Sequence, residues 1–240
     1  MRDMPLTPWI SPADNVADGR RVPEQSIAYS RYVHHPDGRL EEMGACVLTI
    51  SRAVRQGQAL LRRERIYTHR TGETEVRFDE AQLCNLQPVS TAVDHDNNPV
   101  IRTEYDGRVI HSAHPVWPAG PEETETRLTL ESTLSAPRPV FEGSSLGMII
   151  AALPLAVGYS TRLLTFMADL KPGAQFLFAD VTVIGEETCT TRENEPLPCW
   201  LVRVDADRRW TFWINQSDAA ISLVRVCEDL PDGSEDIYQA

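Results

Sequence analysis

The chain is almost without lysine: Lys171 stands alone beside 22 arginines. So one-sided a choice reads as the codon preference of a GC-rich genome, not as 22 guanidinium-specific sites. Bases are scarce overall, 23 against 35 acids for a net charge of -12, which argues against nucleic acid and anionic membrane surfaces as partners. No run approaches the roughly 18 apolar residues of a membrane-spanning helix, so membrane insertion is not expected. The opening MRDMPLTPWISPADNV has no apolar core of a secretory signal, which leads to a cytoplasmic expectation. No CxxC pair, phosphate-binding loop or dinucleotide fingerprint occurs, so neither a metal nor a cofactor is expected. The five cysteines are odd in number and scattered, as suits buried free thiols; Cys189 and Cys199, flanking a predicted hairpin loop, are the one pair placed for a disulfide.

What the chain does have is alternation. Ile27, Tyr29, Arg31 and Val33 share one face of a strand over Ser26–His35, and Pro36-Asp37-Gly38 turns the chain. Similar patterns cover Leu40–Arg52, Ala59–His69, Thr74–Leu83, Pro88–His95 and Val100–Tyr105. Asp106-Gly107 favours a tight hairpin into Arg108–His111. Further strands are read at Thr124–Leu134, Tyr159–Asp169, Phe176–Thr190, Trp200–Asp205, Arg209–Asn215 and Ala220–Cys227. Short turns between about twelve strands predict a mainly β fold, an antiparallel barrel or half-barrel. Residues 1–24, rich in proline, read as an irregular arm anchored by Trp9, residues 25–228 as a single β domain, and residues 229–240 as an acidic tail in which IYQA could add an edge strand.

One stretch departs from this pattern. Phe141 to Pro154, FEGSSLGMIIAALP, predicts an internal helix near 144–153, apolar nearly all round and ended by Pro154. Ser144 or Ser145 is the expected N-cap, with Glu142 adding negative charge at the helix start. The same serines mimic a G-x-S-x-G nucleophile elbow, but that motif belongs in an α/β sheet, and capping explains them better.

The segment GSSLGMIIAALPLAVGYSTRLLTFMAD, with VTVIGEETCT and CWLVRVDADRRWTFWINQSDAAISLVRV after it, resembles a bacterial domain of unknown function. Those proteins are similar in fold to the half-barrel lipoprotein carriers of the bacterial envelope. The resemblance spans roughly residues 25–228 and implies a curved antiparallel sheet wrapped round a helix, enclosing an apolar cavity. It transfers no catalytic residue.

Candidate chemistry is sparse. His34-His35 and His111-x-x-His114 cannot chelate from regular strands, because neighbours and i, i+3 pairs point to opposite faces. Asp94 and Asp96 read as residues of a turn. Glu104, Glu142 and Asp94 are the candidate acids, since a carboxyl enclosed in an apolar barrel gains a raised pKa. Arg102, Tyr105, Met148, Trp200, Trp210 and Trp213 are the candidate ligand-binding residues. Two functions follow. One is an enzyme that folds a hydrophobic, polyketide-like intermediate in the barrel for metal-free acid/base cyclisation or isomerisation. The other is a non-catalytic carrier of a lipid-like ligand. Homodimerisation stays open.

Overall fold

The computed structural model describes residues 9–96, 98–116, 128–167, 176–217 and 222–240; at 98–100, 114–116 and 128–130 it describes the backbone alone. Parts of the strands expected over Thr124–Leu134, Tyr159–Asp169 and Ala220–Cys227 lie outside the described residues. The first half of the chain forms strands Trp9–Ile10 (β1), Gln25–His34 (β2), Leu40–Arg55 (β3), Gln58–His69 (β4), Thr74–Gln82 (β5), Pro88–His95 (β6), Asn98–Asp106 (β7), Val109–Val116 (β8) and Leu128–Ser135 (β9). Phe141–Glu142 (β10), a 3-10 turn over Gly143–Ser145 and the helix Leu146–Ala151 (α1) follow. The second half adds Ser160–Phe166 (β11), Phe176–Thr190 (β12), Pro196–Asp205 (β13), Arg209–Asn215 (β14), Leu223–Asp229 (β15) and Glu235–Gln239 (β16).

Antiparallel pairing of consecutive strands makes two meanders, β2–β9 and β11–β16, and one backbone ladder, β16 against β2, joins them into a single sheet. The ladder does not close. Its ends are β1 and β9, so of the expected barrel or half-barrel the closed barrel is excluded: the sheet is open, and it has sixteen strands among the described residues instead of about twelve. The added strands have a physical explanation. β1 and β10 are two residues each, too short to show a period, and both lie parallel on β11. β16 is hidden in the acidic tail, where Glu235 and Asp236 mask its alternation; it is an inner strand of the ladder, not an edge. Trp9 lies edge-on to Phe178 at 6.0 Å, with the Arg138 guanidinium 4.8 Å from its ring centre.

The sheet curls around α1. Met148, Ile149 and Ile150 are buried against residues of its inner face, including Leu48, Ile50, Val202 and Phe212. Each such burial is worth about 1.5–3 kcal/mol. The far end of the first meander meets β11 through side chains: Val93, Ile101 and Ile110 pack with Leu164 and Phe166. Tyr105 meets Phe166 edge-on at 6.1 Å.

The helix is shorter than expected, six residues after a single 3-10 turn. Its cap is also different. Ser145 makes no side-chain cap bond, while Glu142 accepts from the Ser144 backbone N–H at 3.0 Å. At the other end the Ala152 carbonyl accepts from Asp18 N–H at 3.1 Å, so the arm satisfies an otherwise orphaned helix carbonyl.

All five cysteines are free. Cys199 and Cys227 are buried on the outer side of the second meander, and burial pushes both thiols up to about 12.

Gly44 sits at a bulge, where three residues of β3, Glu42 to Gly44, span Arg31–Tyr32 of β2, at φ +136°. A Cβ there would stand 2.1 Å from the Thr68 carbonyl oxygen. Gly44→Ala is therefore expected to cost about 1–3 kcal/mol in a denaturant titration. Gly185→Ala, where a Cβ meets nothing within 4 Å, should be near neutral.

Candidate functional site

Between α1 and the inner face of the sheet lies a cavity of about 460 Å³. Tyr29, Leu48, Ile50, Met148, Phe212 and Leu223 form its apolar walls, and arginines from three strands and a hairpin turn supply its polar side. Strand alternation puts both kinds there. On β4, Leu61, Arg63, Arg65 and Tyr67 occupy alternate positions, so two arginines share the inward face with a core leucine.

Arg63 ties α1 to the sheet. Its Nε donates to Asp79 Oδ2 at 2.7 Å, its Nη2 donates to the same carboxylate, and its Nη1 donates to the Ser144 carbonyl. Asp79 also accepts from Thr91 Oγ1 at 2.7 Å and Ser144 Oγ at 3.2 Å. Arg63, Asp79 and Thr91 are each buried, which is tolerable because every charge is paired and hydrogen-bonded. Burial alone would raise the Asp79 carboxyl, but the Arg63 guanidinium, the Thr91 hydroxyl and Arg65 outweigh it and hold the group below its ordinary 3.8. Beside this pair, Tyr105 OH donates to Glu142 Oε2. Burial, then the Glu142 carboxylate, pushes the phenol well above its usual range, so it stays a donor.

A row of guanidinium groups lies along the cavity's polar side. Arg31 pairs with Asp236 at 2.8 Å, Arg77 Nε donates to Glu75 at 2.6 Å, and Arg208 pairs with Glu228 at 2.5 Å. Arg65 packs over the Tyr67 ring, 5.2 Å from its centre, and its Nε is buried without a hydrogen-bond partner.

The residues singled out from sequence are dispersed. Met148 and Trp210 line this cavity. Trp200 lines a second depression with Arg20, Arg21 and Arg52. Trp213 is buried on the sheet's outer side and donates its indole N–H to Glu187 at 3.0 Å. Arg102 and Glu104 are exposed on the outer face of β7, with Arg102 paired to Asp94 at 2.5 Å. Glu142 and Tyr105 bond each other behind the cavity wall that Gly143 and Ser144 provide. The three candidate acids therefore do not converge. Cys227, Asp229 and Glu235 hold one potential ligand atom each within 4.8 Å of one another. The buried Cys227 thiol keeps its proton, and Glu235 already meets His34 at 3.2 Å, both of which work against a metal there.

Sequence reading missed Arg31, Arg63, Arg65, Arg77 and Asp79 as site residues. The signal was present: inward positions on β2, β4 and β5 carry arginines among Ile27, Tyr29, Leu61 and Tyr67. Twenty-two arginines in one chain hide it, because composition alone accounts for most of them.

A family model described as "Protein of unknown function (DUF3108)" matches residues 62–239. No curated protein matches the chain, and no solved structure matches it.

Removing one partner of the buried pair leaves an uncompensated charge. Arg63→Gln or Asp79→Leu is expected to lose about 3–5 kcal/mol near neutral pH, and the double variant Arg63→Met/Asp79→Leu to recover most of it. The sign with pH follows from the lowered Asp79 value. Its stabilisation is present above about pH 4, the ordinary carboxylate range, and is lost as pH falls through the depressed folded value. In urea midpoints measured from neutral to acid pH, the double variant should lose less stability than wild type.

Proposed function

The chain belongs to the DUF3108 family of proteins of unknown function, and from that premise we propose that it is a non-catalytic binding protein which holds a lipid-like small molecule under α1. The observation that carries the reading is the cavity itself. Its volume of about 460 Å³ falls within the roughly 300–1,000 Å³ of small-molecule sites, and apolar side chains from the sheet and the helix meet in it. The curl of the open sheet around one short apolar helix supports the likeness to half-barrel carriers. Cyclisation or isomerisation has no comparable observation behind it: Glu104 is exposed, Asp94 pairs with Arg102, and Glu142 is engaged as a cap and by Tyr105.

Uptake of the neutral fluorophore N-phenylnaphthylamine and native mass spectrometry of the purified protein test this directly. Leu48→Trp, which fills the cavity, should remove fluorophore binding, whereas Val47→Trp on the exposed face should leave it unchanged. Equal binding by both folded variants would sink the cavity assignment.

A further inference from the structure

The arginines around the cavity are not equivalent. Arg31, Arg63, Arg77 and Arg208 each have a carboxylate: Asp236, Asp79, Glu75 and Glu228. Arg65 forms no ion pair and no hydrogen bond among the described residues, although it is half-buried and its Nε is shielded from solvent. The β4–β5 register sets it directly opposite Arg77. Like charges in directly opposed positions destabilise a sheet, and a buried N–H without an acceptor adds to the cost. The protein as a whole is strongly acidic, so a carboxylate at this position was open to the sequence, yet none is there. On its other side Arg65 is registered with Leu48, and the apolar wall begins at that residue. One compound satisfies both halves of this arrangement, an anion joined to an apolar chain.

We propose that the ligand is an amphiphile with a single anionic head, a carboxylate or a phosphate monoester. The head accepts hydrogen bonds from Arg65 beside Arg77, and the apolar chain lies against Leu48, Ile50 and Met148. Guanidinium suits this task because its planar N–H groups meet two oxygens at once. The ring of Tyr67 under the guanidinium holds it in place before the ligand arrives. This assignment rests on the cavity reading above and specifies the class of molecule that the cavity accepts.

Displacement of N-phenylnaphthylamine by dodecanoate, dodecyl phosphate and dodecanol tests it in wild type, Arg65→Met and Arg65→Lys. Wild type should bind at least one anion about tenfold or more tightly than dodecanol, the worth of a charge-assisted hydrogen bond, and the better anion identifies the head. Arg65→Met should erase that preference while keeping dodecanol and fluorophore binding, and should unfold close to wild type, because the repulsion it removes from Arg77 offsets the lost attractions to Asp79 and the Tyr67 ring. Arg65→Lys should retain part of the preference. If wild type binds the alcohol as well as both anions, or if the preference survives in Arg65→Met, the head assignment is overturned while the cavity reading stands. If neither the fluorophore nor any of the three chains binds, both fail together.

Discussion

The pairing of β16 with β2 holds the two meanders in one sheet. Residues at the two ends of the described chain form this ladder, Glu235 with His34 through Gln239 with Ser30. Every other antiparallel pairing joins strands consecutive in the chain, whereas this one must bring together segments some two hundred residues apart, with the loop-closure entropy that implies. Side chains reinforce it. Arg31 forks onto Asp236 with two bonds of 2.8 and 2.9 Å, and Tyr238 meets Tyr67 edge-on at 5.9 Å. The same junction forms part of the cavity wall, so the contact that completes the sheet also shapes the space inside it.

The helix is the second constraint. A six-residue helix is too short to be stable by itself, and its place is set by what it touches. Apolar side chains sink into the curled sheet, the arm caps its far end through Asp18, and Arg63 grips the Ser144 carbonyl. Because the Arg63–Asp79 pair is buried, helix and sheet are held in one relative position by directional bonds as well as by packing. The cavity beside them keeps a defined shape without a ligand-sized core of side chains to fill it.

Much of the β architecture was legible because strand alternation survives in sequence: Ile27, Tyr29, Arg31 and Val33 were read as one face, and Tyr29, Arg31 and Val33 line the cavity from it. The helix was legible in place but not in length or capping, since a cap depends on which side chain the turn brings within reach of a free N–H; here that is Glu142, not Ser144 or Ser145. Of the candidate site, Met148 and Trp210 were found by their apolar and aromatic character. Arg65 was not. Nothing local to a half-buried arginine says whether a carboxylate will face it, because Asp79 and Asp236 reach their arginines from other strands.

By itself the sequence determined a chain of short strands with polar turns, one apolar helix among them, and an acidic surface poorly suited to nucleic acid. These follow from periodicity, turn chemistry and net charge, all of which act over a few residues or over the whole chain at once. Only the tertiary structure decided that the sheet stays open, that the last strand lies between the meanders, and that one arginine stands directly opposite another on the neighbouring strand. Those are matters of register between distant segments, and register is set by packing that no local window contains.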